Sequence, residues 1–92
     1  MNGKERIVSA LNLQPVDRTP VWFMRQAGRH LPEYRKIAAE HNFWERCMDV
    51  DLCTKITLQP IERYQTIDAA IIFSDILTPL PSLGYDVEYG GG

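Results

Sequence analysis

The sequence is poor in most of the features that mark a specialised class. It has two cysteines and two histidines in 92 residues, and no apolar run approaching the ~20 residues needed to cross a membrane. Cys47 and Cys53 stand six apart, with no CxxC and no histidine at ligand spacing, so a disulfide framework and a zinc site are both excluded and two free thiols are expected. Twelve acids against ten bases give a net charge of −2, which provides no basic field for nucleic acid or for an anionic membrane. The opening MNGKERIVSA has no signal-peptide core, and the expected location is the cytoplasm. No repeat or low-complexity tract interrupts the chain.

What remains is an ordinary globular composition, 45% hydrophobic and 24% charged, in a length that allows one small domain at most. The charge is unevenly placed. Between Arg18 and Lys36 five bases face only Glu33, a local excess of +4 that suggests one specific anion rather than a polyanion.

Residues 3–12 set Ile7, Val8, Ala10 and Leu11 on one stripe, predicting a short helix capped by Asn2 and ended by Pro15. Residues 19–24 (TPVWFM) and 67–73 (IDAAIIF) are continuous apolar runs that stop at Arg25 and at Ser74-Asp75, the pattern of strands buried on both faces. Between them Pro32 opens a helix, a second piece covers residues 42–47, and Asp49 caps a longer helix to about Tyr64, which Pro60 should bend or break. Strand, helices, strand predicts a parallel α/β arrangement with a right-handed crossover. DVEY, from Asp86, alternates and suggests one more short strand. Two strands make a marginal sheet, so the pattern resembles the start of a larger α/β protein.

In such folds the chemistry collects where the chain leaves the carboxyl ends of the strands. Both candidate segments obey that rule. In RQAGR, Arg25 and Arg29 offer planar forks for carboxylates, while Ala27 and Gly28 let a ligand approach the backbone; the plain alternative is a solvated loop. Asp75 is an acid at the end of an apolar strand, suited to stabilising a cation, with a helix N-cap as its plain alternative. His30 and His41 read as exposed helix-end residues, and Trp22, Phe23, Phe43 and Trp44 as core.

These segments also carry a resemblance. RTPVWFMRQAGRHLPEYR, residues 18–35, and TLQPIERYQTIDAAIIFSDIL, residues 57–77, resemble two signature blocks of the uroporphyrinogen decarboxylase family. The resemblance implies that residues 1–92 are an N-terminal fragment, about the first two βα units, of a single (β/α)₈ TIM-barrel domain. It also implies a lyase of haem and porphyrin biosynthesis, with no cofactor and no metal, that removes carbon dioxide from the four acetates of uroporphyrinogen to give coproporphyrinogen. Substrate binding would fall on Arg25, Gln26, Ala27, Gly28 and Arg29. Asp75 would be both catalytic and substrate-binding, through the pyrrole N–H groups. The complete enzyme would be a homodimer, and this chain alone an incomplete, inactive fragment. Two positions depart from the family pattern: His30 stands where Tyr is usual, and Ala38 where many relatives have arginine. The alternatives are a truncated product without activity, or a related methyltransferase of the same superfamily.

Overall fold

The computed structural model describes residues 1–24 and 26–86. Five helices occur among them: α1 (Gly3–Leu11), α2 (Pro32–Glu40), α3 (Phe43–Met48), α4 (Val50–Arg63) and the single turn α5 (Pro79–Ser82). Their starts follow from local chemistry. Asn2 Oδ1 accepts from Glu5 N–H at 2.9 Å while Glu5 Oε2 accepts from Asn2 N–H at 3.0 Å, a reciprocal box that satisfies two donors at the α1 terminus. Asn42 and Asp49 cap α3 and α4 through a single bond each, their side-chain oxygens accepting from Glu45 N–H and Leu52 N–H, and Pro32 begins α2.

One expectation about helix ends is corrected and one is met. The α1 helix stops at Leu11, ahead of Pro15, with Leu13 already at φ +57°. The helix expected to about Tyr64 is found: α4 runs unbroken through Pro60 to Arg63 and closes with Tyr64 N–H on the Pro60 carbonyl at 2.8 Å. Proline costs a helix its own N–H, but Pro60 is also fully buried, and that burial offsets the missing bond.

The two predicted parallel strands are not found, and the described residues contain no strand at all. The two apolar runs do meet, through the bond from Asp68 N–H to the Val21 carbonyl at 2.8 Å. A parallel ladder around that bond would next send Phe23 N–H to the Asp68 carbonyl. Instead Phe23 N–H donates to Gln26 Oε1 at 3.0 Å, and Val21 N–H donates to Asp68 Oδ2 at 2.8 Å. Side chains have taken the donors that a ladder would use. The predicted strand at DVEY, from Val87 onward, lies outside the described residues.

With no sheet to cover them, Trp22 (41% exposed) and Phe23 (58%) are surface residues, which corrects their assignment to the core; Phe43 and Trp44 are half-buried. The core is formed instead by Leu31, Tyr34 and Ile37 around Ile56 of α4, with Leu31 and Ile56 wholly buried. Ala27 and Phe73 pack against the same cluster, so one small core supports both candidate segments.

Candidate functional site

Gly28 lies at φ +131°, where an L side chain is strained even though open space surrounds it. The residue is therefore required by the backbone path, not by crowding. Its carbonyl accepts Leu31 N–H at 3.0 Å and the Arg29 carbonyl accepts Arg35 Nη1 at 2.9 Å, which turns the loop into the start of α2. The Arg29 side chain is at the surface. Arg25 lies outside the described residues.

Gln26 is 4% exposed, and both ends of its amide are engaged: Oε1 accepts from Phe23 N–H, and Nε2 donates to the Ala69 carbonyl at 3.0 Å. Beside it opens a cleft of about 590 Å³ whose lining includes Gln26, Ala27, Ser74 and Asp75, with Ile72 and Phe73 among its apolar walls. Residues of both candidate segments therefore line one cleft without the neighbouring strands that the expectation assumed, and Gly28 and Arg29 are not among its lining residues.

Asp75 is half-buried and heads a tight turn. Its Oδ2 accepts Leu77 N–H at 2.9 Å, and its own N–H reaches Thr78 Oγ1 at 3.2 Å. This is a local capping geometry, but the helix that follows starts at Pro79 with Thr78 as its cap. Asp75 therefore does not cap a helix over the residues immediately after it. Its charge is felt nearby: burial first, and then the Asp75 and Cys53 charges, push the Cys47 thiol up. Cys47 and Cys53 are both free.

The arginine excess is partly spent inside the molecule. Arg18 Nη1 and Nη2 bind Asp68 at 2.9 and 3.1 Å, and Arg6 Nη1 binds the same carboxylate at 2.7 Å. The Asp68 side chain is 1% exposed. Burial would push its carboxyl up, but the Val21 N–H and the two guanidinium groups together hold it below the usual carboxylate value. Sequence reading passed over Asp68, although an acid inside an apolar run is a signal, since buried charge requires a partner. Gly3 belongs to the same junction, because a Cβ there would meet the Asp68 carbonyl at 2.9 Å.

His30 is exposed and lies parallel to Tyr64, with ring centroids 6.5 Å apart; His41 Nδ1 pairs with Glu45 at 3.0 Å. Among the described residues no cluster of three or more His, Cys, Asp or Glu is placed to hold a metal, and no helix is long and apolar enough to cross a membrane.

Gln26 and Ala27 of the loop, Ser74 and Asp75 thus line one cleft together with apolar side chains that include Ile71, Ile72 and Phe73. A sequence profile described as uroporphyrinogen decarboxylase (URO-D) matches residues 2–92. The uroporphyrinogen decarboxylase of Magnetococcus marinus is 52% identical over 93 residues, covering all of this chain and 26% of that relative. Those of Tolumonas auensis (52%) and Azotobacter vinelandii (51%) each match over 89 residues, 96% of this chain and 25% of theirs. The class these findings define is a carboxy-lyase family. The chain belongs to the uroporphyrinogen decarboxylase family, and it spans about a quarter of the length of the curated relatives it matches.

Proposed function

We propose that this chain supplies the carboxylate-receiving loop and the central acid of a uroporphyrinogen decarboxylase, as the first two βα units of a single (β/α)₈ barrel domain. The observation that carries the reading is the cleft shared by Gln26, Ala27, Ser74 and Asp75 in a chain whose residues 2–92 match that family. Arg25 and Arg29, the two ends of the RQAGR loop, receive carboxylates at the rim of the substrate by bidentate forks. Asp75 faces the pyrrole N–H groups at its centre.

The chemistry follows from that placement. A pyrrole carbon takes a proton and the ring becomes a cation. The bond between an acetate methylene and its carboxylate then breaks, its electron pair flows into the ring, and carbon dioxide leaves. Protonation of the methylene carbon and loss of the ring proton give the methyl product. A fixed carboxylate beside the N–H groups stabilises the cation along this path. The ring is its own electron sink, so the mechanism uses no cofactor and no metal. Four such cycles give coproporphyrinogen, in a homodimeric, cytoplasmic enzyme.

The 92 residues alone leave the cleft open and are expected to release no carbon dioxide. The test is a chimaera in which residues 1–92 replace the matching quarter of the Magnetococcus marinus relative. Coproporphyrinogen formation by the chimaera, and none by the chain alone, is the expected result. A folded chimaera that forms no product would overturn the reading.

A further inference from the structure

The segment that carries Asp75 is not held by a sheet; it is held by α4. Phe73, two residues before Asp75, has both of its backbone polar groups bound by side chains one helical turn apart. Thr57 Oγ1 accepts Phe73 N–H at 2.9 Å, and Cys53 Sγ donates to the Phe73 carbonyl at 3.1 Å. The pair is internally oriented, because the Thr57 hydroxyl spends its own proton on the Cys53 carbonyl at 2.8 Å and is left as an acceptor toward Phe73. The Phe73 ring is fixed as well, edge-on to Tyr34 at 5.8 Å and to Phe43 at 6.0 Å.

We infer that Thr57 and Cys53 are positioning residues for Asp75, setting the height at which its carboxylate enters the cleft. This rests on the reading of Asp75 given above. Hydroxyl and thiol here do the work that a neighbouring strand does in a ladder, and each is local to one backbone group. Catalytic groups tolerate little displacement, and about 1 Å can cost roughly 100-fold in rate.

The experiment compares Thr57→Val, which keeps the shape and loses the acceptor, with Thr57→Ser, which restores it, and adds Cys53→Ala. In the chimaera Thr57→Val is expected to lower kcat by about 10- to 100-fold with KM little changed, and Thr57→Ser to recover most of it. Cys53→Ala should show a smaller loss of the same kind. A purely structural role would instead lower the active fraction without a selective effect, and serine would not rescue. An unchanged kcat in Thr57→Val, or no rescue by serine, overturns the proposal. Amide exchange of the 92-residue chain provides a readout that needs no turnover: Phe73 N–H should exchange faster in Thr57→Val and slowly again in Thr57→Ser. If the parent chimaera is inactive, the functional reading falls, and this exchange alone decides the clamp; equal rates in all three chains reject it.

Discussion

Arg6 and Asp68, 62 residues apart, are joined by a 2.7 Å bond from Nη1 to Oδ1 that pins α1 to the second apolar run. Arg18 and the Val21 N–H converge on the same carboxylate, so one buried acid gathers three separate parts of the chain. Asp68→Asn keeps an acceptor for Val21 but removes the counter-charge of two guanidinium groups. Amide exchange over residues 3–11 should therefore accelerate while residues 50–63, held by Ile56 and the core, stay protected. Equal acceleration in both regions would show that Asp68 supports the whole molecule rather than this junction.

This junction and the Glu33–Arg63 pair fix the acid limb of stability. The Arg6 guanidinium holds the Asp17 carboxyl below its ordinary value, Asp68 is also held low, and Arg63 does the same for Glu33. A carboxyl whose folded pKa is depressed contributes fully above its unfolded value near 3.8 for Asp and 4.5 for Glu, and its contribution is lost as the pH falls through the folded value. Urea midpoints should thus be flat from pH 7 to about pH 5 and fall below about pH 4. In an Asp17→Asn, Asp68→Asn double variant the fall should be shallower. A decline already under way at pH 6 would contradict this.

Much of the helical plan was legible, because caps act within three residues: Asn2, Asn42 and Asp49 lie where their oxygens reach the next turn. The apolar runs were legible as runs but not in their pairing, which depends on groups far away in sequence. Gln26 and Asp68 took the Phe23 and Val21 donors, and without a ladder Trp22 and Phe23 stay at the surface. For the site, Ala27 and Asp75 line one cleft although no strands carry them there, and the engagement of Gln26 with Phe23 and Ala69 was not legible, since a glutamine in a loop looks the same whether it faces ligand or backbone. Arg18 was counted toward a ligand because its partner, Asp68, sits 50 residues away.

The chain exposes 6889 Å², where a compact monomer of 10.6 kDa would expose about 5,500 Å². Met24, Ile71, Ile72 and Ile76 contribute to this surface, and leaving apolar area in water costs ~25 cal/mol per Å². The isolated chain should self-associate at micromolar concentration. Sedimentation should show oligomers that an Ile72→Asp, Ile76→Asp variant disperses; a sharp two-state unfolding transition from a monomer would contradict this.

Wholly buried Ile56 joins α4 to the cluster of Leu31, Tyr34 and Ile37. Ile56→Ala removes that contact and leaves a cavity, at a cost of about 2 to 5 kcal/mol. Urea denaturation of the chimaera measures it. A loss below ~1 kcal/mol would mean the cluster is not the core that carries the two segments.

The proposal that Arg25 and Arg29 receive carboxylates predicts a loss that charge alone does not explain. In the chimaera, Arg25→Lys and Arg29→Lys keep the charge but not the planar geometry, and breaking such a desolvated contact costs roughly 2 to 5 kcal/mol. KM for uroporphyrinogen should rise in each. Unchanged kinetics in both variants would identify the loop as merely solvated.

The central claim concerns the charge of Asp75, and its most direct test is turnover of Asp75→Asn in the chimaera, read beside its melting temperature. Asparagine still offers an oxygen to Leu77 N–H, so the turn survives and only the charge is removed. The account predicts a kcat lower by about 10² to 10³ with the melting temperature essentially unchanged, the size expected for one preorganised electrostatic group. Near-normal turnover with a lowered melting temperature would contradict it and leave Asp75 as a turn residue only.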